Sequence, residues 1–336
     1  MESERIVGAF LKPETYDEKV SGKIEVLQTH ISWVFLTGSY AYKIKKPVDF
    51  GFLDFTTLEK RKKYCELELT LNRRLCPEMY LGVIPVAEDK GILKMGGRGR
   101  IIEYALKMRQ MPREKLMNRL LERGEIGKDV IDRIAKVIAD FHSGAETSAA
   151  ISKSGNPESV KFNWDENFEQ TTGFVGKVLA RKDFDFVKKT VIDFLEKNKN
   201  LFEKRVRGGR IRRIHGDLHS GNIFVVGGKP CIFDCIEFSD RFSCLDTAAD
   251  VAFLSMDLDF KGRRDLSELL VKKYIVYSGD EEIARILNFY KCYYAWVRGK
   301  VTSFRLNEKL GKAEKLAVAE SASGYFRLAA GYAGKL

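Results

Sequence analysis

Nine consecutive residues, Ile214-His215-Gly216-Asp217-Leu218-His219-Ser220-Gly221-Asn222, constrain this chain more than any other stretch. They hold two of only four histidines in 336 residues. Asp217 and Asn222 stand five apart, just before an apolar run, and Asp234 ends the next apolar run twelve residues after Asn222. Moving a phosphoryl group between oxygens calls for such a set. One carboxylate takes the proton of the acceptor hydroxyl, while an amide oxygen and a second carboxylate hold Mg²⁺ against nucleotide phosphates. Asp, Ser and Asn also favour turns and caps, so a polar loop is the competing reading. Asp234, at the spacing the metal pair needs, favours the chemical one. His215 alone reads better as a brace for the loop than as a general base, and His219 as either a phosphate contact or a packing residue.

The rest of the chain divides by texture. Lys23–Gln28, Trp33–Thr37 and Tyr40–Lys45 alternate as strands do, with Gly38-Ser39 suited to a tight turn between the last two. Thr57 to Leu75 reads as a helix, with Leu67, Leu71 and Leu75 on one face. Two more strands follow, Tyr80–Val86 and Ile101–Met108, separated by Gly96-Gly97-Arg98-Gly99, which lacks strand-to-helix context and reads as a hairpin turn. Residues 1–111 are therefore expected to form a small lobe of five antiparallel strands and one helix. Residues 112–336 are expected to form a larger, mainly helical lobe, with Ser148–Phe162 a polar loop and short strands at Asn222–Val226 and Cys231–Asp234. The fold class is α+β.

The loop His-Gly-Asp-x-His-x-Gly-Asn, followed by Phe233-Asp234, resembles the aminoglycoside phosphotransferase superfamily, whose fold is protein-kinase-like. Protein kinases carry His-Arg-Asp before the Asn and then Asp-Phe-Gly. Here Gly216 stands for the Arg, Asp234-Cys235-Ile236 for Asp-Phe-Gly, and no Ala-Pro-Glu follows, which argues against a protein kinase. Several other stretches are similar to a little-characterised branch of the superfamily that is often fused to a P-loop kinase-like domain: Thr29–Trp33, Tyr42–Pro47, Gly51–Phe55, Leu71–Arg74 and Ile236–Phe238. No P-loop motif occurs in this sequence. The resemblance runs from about Phe10 to about Arg305. It implies ATP- and Mg²⁺-dependent transfer of the γ-phosphate to a hydroxyl of a small molecule, such as a sugar, an amino alcohol or an antibiotic-like acceptor. It makes Asp217 the base, Asn222 and Asp234 the metal ligands, and Asp250 a buried brace for the loop.

A nucleotide site needs a strand lysine for the phosphates and a small residue under the base. Ala41 and Lys43 share a face, so Lys43 is the first choice; Lys45 shares that face too. Glu66 and Glu68 are both candidates to orient the lysine. Gln28–Ser32 stands where kinases place phosphate-covering glycines; it has none, so Thr29 and Ser32 would have to serve. By resemblance, Met108 leads into a hinge where Arg109 to Met111 face the adenine. Acceptor candidates are Asn163–Phe168 and a late helix with Tyr290, Tyr293, Tyr294 and Trp296, although aromatics at helical spacing are more often core.

Lys and Arg number 58 against 47 Asp and Glu, a net +11. That excess favours a neutral or anionic acceptor over a polycation. Lys60–Lys63 and Arg207–Arg213 are read as solvated surface, which argues against a nucleic-acid partner. A kinase-fold nucleotide-binding regulator without transfer is the remaining rival, motivated by the missing glycine-rich loop. No apolar run reaches the ~18 residues of a membrane span, and the first residues are charged, so no membrane association and a cytoplasmic location are expected. Six cysteines without a Cys-x-x-Cys pair point to reduced thiols.

Overall fold

Alternating segments pair into a sheet because burying every second side chain leaves the backbone groups to satisfy each other across strands. The structure, a computed structural model, describes residues 2–336. The chain divides into two units. One comprises the chain up to Leu116 with Phe224–Val226 and Cys231–Ser239, the other the remainder.

The first unit contains β1 (Glu25–Gln28), β2 (Ser32–Leu36), β3 (Tyr40–Lys45), β4 (Tyr80–Asp89), β5 (Ile92–Met95) and β6 (Arg100–Arg109). They form one antiparallel sheet in the order β1-β2-β3-β6-β4-β5. The sheet thus has six strands where the sequence suggested five. The extra strand, β5, is four residues long, too short for its alternation to stand out. The glycine-rich stretch after it is not the hairpin turn expected: β5 and β6 both pair with β4, which lies between them, so the stretch crosses over β4, and the tight turn is Lys90-Gly91 between β4 and β5. Gly99 has φ 134°, and a Cβ there would lie 2.4 Å from the Glu88 carbonyl oxygen. Helix α1 (Glu2–Phe10) places Ile6 and Phe10 among Tyr16, Trp33, Phe35 and Tyr42. Helix α2 (Leu58–Arg73) is capped by Thr57, whose hydroxyl accepts from the Lys60 amide, and packs against β4 and β6. A second apolar cluster joins Leu36, Ala41, Met79, Leu106 and Met108 to Phe224 and Cys231.

One cysteine expectation is corrected. Cys76, just after α2, is disulfide-bonded to Cys231, 155 residues away in sequence. Such a separation leaves no spacing signal. Cys65, Cys235, Cys244 and Cys292 are free and buried.

The second unit carries α3 (Met117–Glu122), α4 (Lys128–Gly144), α5 (Ala149–Ser152), α6 (Pro157–Thr171), α7 (Arg181–Lys197), α8 (Lys199–Arg207), α9 (Asp240–Ser243), α10 (Thr247–Phe260), α11 (Arg264–Ser278), α12 (Ile283–Phe304) and α13 (Lys312–Ala333). The segment read as a loop, Ser148–Phe162, instead holds α5 and the start of α6. Ser148 caps α5, and Pro157 fits the first turn of α6, where its missing N–H has no intrahelical partner to lose. Short strands β7 (Ile211–Arg213) and β10 (Cys244–Asp246) pair with each other, as do β8 (Ile223–Val226) and β9 (Lys229–Ile232). Helix α10 is buried from Thr247 to Leu258 and forms the centre of the packing with α11 and α12. Trp164 stacks on Phe168, and Trp296 meets Phe168 edge-on and packs tilted against Trp164, all with almost no exposure, so these aromatics are core. Arg205 is buried between Asp246 (2.6 Å) and Asp280 (2.6 Å). No described helix is long and apolar enough to cross a membrane.

Candidate active site

Strand period two and one helix turn create the charged centre of the first unit. Ala41 and Lys43 lie on β3, with Ala41 paired to Leu36 and Met108. Lys43 Nζ reaches Glu68 Oε1 at 2.7 Å and Asp234 Oδ1 at 2.8 Å. Lys45 Nζ takes the other oxygen of Glu68 at 2.7 Å and also pairs with Glu237. Burial works against the charge of Lys43, but Asp234, Glu68 and Glu237 outweigh it and lift its pKa. For Glu68 burial is again opposed, and the two lysines hold the carboxyl at about 2. Burial raises the pKa of Glu237.

The structure thus separates the two carboxylate candidates. Glu68 is fully buried against both lysines, whereas Glu66 sits on the solvent side of α2, 3.8 Å from Lys62. Glu237, three residues past Asp234, is buried and serves Lys45.

Asp234 occupies the left-handed region at φ 67°, rare for a residue with a side chain and concentrated at functional sites. The turn is held from both sides. The Asp234 amide donates to the Tyr80 hydroxyl (3.1 Å), and the Cys235 amide to Asn72 Oδ1 (2.9 Å). Asn72 Nδ2 in turn donates to the Glu68 carbonyl (2.8 Å), tying this turn to α2. The Asp234 side chain is 44% exposed, against 1% for Glu68. It therefore keeps oxygen surface for a cation. Tyr80 and Asn72 were not anticipated as holders of this turn; Asn72 at least lies in one of the stretches that carry the family resemblance.

The segment before β2 is closed on itself. Thr29 Oγ1 accepts from the amides of Ile31 (3.3 Å) and Ser32 (2.9 Å), and the Ser32 hydroxyl is buried without a partner among the described residues. At the other end of the sheet, Met108 is buried. The amide of Arg109 donates to Met79 O and that of Gln110 to Ser39 O. Met111 is half-buried against the same apolar cluster.

In the second unit the nine-residue stretch is an ordered loop. Asp250, at the start of α10, accepts from the amides of His215 (2.8 Å) and Gly216 (2.9 Å), and His142 Nε2 lies 3.1 Å from it. It is the brace expected. His215 is fully buried and its Nδ1 accepts from the Asp217 amide, a bracing role. His219 Nδ1 accepts from the Gly221 amide, so the proton sits on Nε2, 3.6 Å from Asp217 Oδ2. Burial disfavours the Asp217 carboxylate, but His219, Arg298 and His215 prevail and hold it well below the usual range. Asn222 Nδ2 donates to the Asp217 carbonyl and to its Oδ2, both at 3.0 Å. That orientation turns the amide oxygen of Asn222 away from Asp217, as a hard-cation ligand requires. The basic runs are largely committed to structure: Arg61 is buried on Glu103, and Arg213 pairs with Glu146 and Asp240.

The sheet with its lysine–glutamate centre and the helical unit with its Asp–Asn loop define a protein-kinase-like fold. The chain superposes on a choline/ethanolamine kinase family protein from Mesorhizobium loti with TM-score 0.55 and 13% identity, over 99% of this chain and 100% of that one. A microcompartment-associated aminopropanol kinase gives 0.56 and 13% over 98% of each. Choline kinase from Cryptosporidium parvum gives 0.55 and 11% over 100% and 96%. Residues 98–287 match the phosphotransferase enzyme family, and the chain belongs to it. Uncharacterized proteins of Mycobacterium tuberculosis and Mycobacterium bovis are 35% identical over 294 residues, 88% of this chain but 57% of theirs. The chain thus spans about half the length of these relatives.

Proposed function

We propose that the protein is an ATP- and Mg²⁺-dependent phosphotransferase acting on a hydroxyl of a small molecule. The observation that carries this reading is the Lys43–Glu68–Asp234 centre: a lysine held charged beside a carboxylate that keeps open oxygen surface. In this reading Lys43 neutralises nucleotide phosphates, with Glu68 fixing its position. Ala41 and Met108 line the adenine, and Met111 offers its amide, since those of Arg109 and Gln110 are already engaged. Asp234 and the amide oxygen of Asn222 are the ligands for Mg²⁺, which supplies charge neutralisation for the phosphates. Asp217, ionised across the physiological range, accepts the hydrogen bond of the acceptor hydroxyl. As the acceptor oxygen bonds to the γ-phosphorus, the bond from that phosphorus to the bridging oxygen breaks, the hydroxyl proton passes to Asp217, and ADP leaves.

Calorimetric titration with ATP, with and without Mg²⁺, tests the assignment of the ligands. Asp234→Ala is expected to remove the part of the affinity that depends on Mg²⁺, and Asp217→Asn to leave binding as it was. Equal loss of affinity with and without Mg²⁺ in Asp234→Ala would mean that this residue is not a metal ligand.

A further inference from the structure

On the reading of Asp217 as the base, we propose that the acceptor is an anionic alcohol, a hydroxyl compound bearing a carboxylate or a phosphate, and that Arg298 binds its charge.

Arg298 lies on α12, one turn after Tyr294. Tyr294 stacks on Phe253 of α10 with ring centroids 4.1 Å apart, Phe253 packs on His219 at 5.5 Å, and His219 reaches Asp217. On its other side the guanidinium lies 5.6 Å over the ring of Tyr325 on α13. This half-buried cation differs from its neighbours. Arg205 is neutralised by Asp246 and Asp280, Arg241 by Glu166, and Arg213 by Glu146 and Asp240. Among the described residues Arg298 forms no ion pair with a carboxylate. The nearby Asp257 is occupied with the Ser220 amide at 2.9 Å. Asp217 and Asp257 act on it only from beyond ion-pair distance, and its hydrogen bond is to the neutral Tyr325 hydroxyl, so a ligand carboxylate or phosphate would supply the direct partner that this partly desolvated guanidinium lacks.

Two further groups point the same way. The hydroxyls of Tyr294 and Ser220 are buried without a hydrogen-bond partner among the described residues. An acceptor with several oxygens would satisfy them. The planar fork of an arginine matches a carboxylate or phosphate with two parallel hydrogen bonds. It also offsets the repulsion between an anionic acceptor and the incoming γ-phosphate, which fits the basic balance of the chain.

The test uses the full chain with MgATP and four three-carbon acceptors that differ in charge: glycerol, D-glycerate, glycerol 3-phosphate and 3-amino-1,2-propanediol. ADP release is followed, and binding to the MgADP complex is measured by calorimetry. One of the two anions is expected to be used with kcat/KM about 30-fold above glycerol and the amine, the effect of one charge-assisted hydrogen-bonded pair. The glycerate and phosphate arms distinguish the two anions. Arg298→Gln should erase the preference with MgATP affinity and Tm unchanged, and Arg298→Lys should restore part of it. Preference for glycerol or the amine, or an anion preference that survives Arg298→Gln, overturns the proposal. If nothing is phosphorylated, calorimetry decides. An anion bound by the unaltered chain but not by Arg298→Gln keeps the anion site while the transfer reading falls, and no binding of either anion overturns the site itself.

Discussion

Replacing Glu68 with alanine leaves two buried lysines to share what remains. The Glu68 carboxylate receives both Lys43 and Lys45 at 2.7 Å and is 1% exposed. Its carboxyl is held at about 2 against an ordinary 4.5, with burial opposing and the two lysines prevailing. At about 1.4 kcal/mol per unit, that difference corresponds to about 3 kcal/mol of stability at neutral pH. Removing one partner of a buried pair costs about 3–5 kcal/mol in general. Here each lysine keeps a second carboxylate, Asp234 or Glu237, which places the cost at the low end. With an unfolding entropy of about 2.1 cal/mol/K per residue over this chain, about 3 kcal/mol lowers Tm by about 4 °C. The sign with pH follows from a folded pKa below the unfolded one. The contribution is complete above about 4.5 and fades as pH falls towards 2, so the two melting curves converge in acid. Circular dichroism melts of both proteins across that range make the test. A Tm within about 1 °C of the unaltered protein at neutral pH, or a gap that does not shrink in acid, would mean that Glu68 does not stabilise the fold through the two lysines.

Other perturbations separate function from stability. Lys43→Met should lower transfer by about 100-fold or more with a small change in Tm, because Glu68 keeps Lys45 and Asp234 is open to solvent. Lys45→Met should do the reverse, since it strands buried Glu237; equal effects of both on turnover would contradict the division of roles. Asp250→Ala removes the acceptor of two loop amides, and hydrogen exchange should show His215 and Gly216 losing protection while α13 does not. Reducing the Cys76–Cys231 bond opens a crosslink across 155 residues and should cost up to about 5 kcal/mol. A melt unchanged after full reduction, checked by thiol titration, would speak against that crosslink.

What was legible in the sequence was what depends on local period. Alternation put Ala41, Lys43 and Lys45 on one face of a strand, and helix spacing put Leu71 on the buried face of α2 but left Glu66 and Glu68 open. The spacing of Asp217, Asn222 and Asp234 showed the loop and the following turn. What depends on partners far along the chain was not visible. The disulfide and the Tyr80 and Asn72 bonds to the Asp234 turn bring together residues more than 150 positions apart, and Cys231–Ser239 joins the first unit from beyond Leu116. The absence of an ion pair at Arg298 among the described residues was hidden for a related reason, since ion pairing depends on which side chains neighbouring helices supply. Short segments such as β5 carried too few residues for a period to register.

In the proposed reading, this centre and this loop transfer a phosphoryl group. That transfer is tested most directly by incubating the chain with γ-phosphate-labelled ATP, Mg²⁺ and a metabolite extract, with Asp217→Asn alongside, and following the label by mass spectrometry. A labelled phosphorylated metabolite is expected from the unaltered protein and none from Asp217→Asn, with equal ATP binding by both. A labelled product formed equally by both proteins, or ATP bound by the unaltered chain with no label passed to any metabolite, would contradict it.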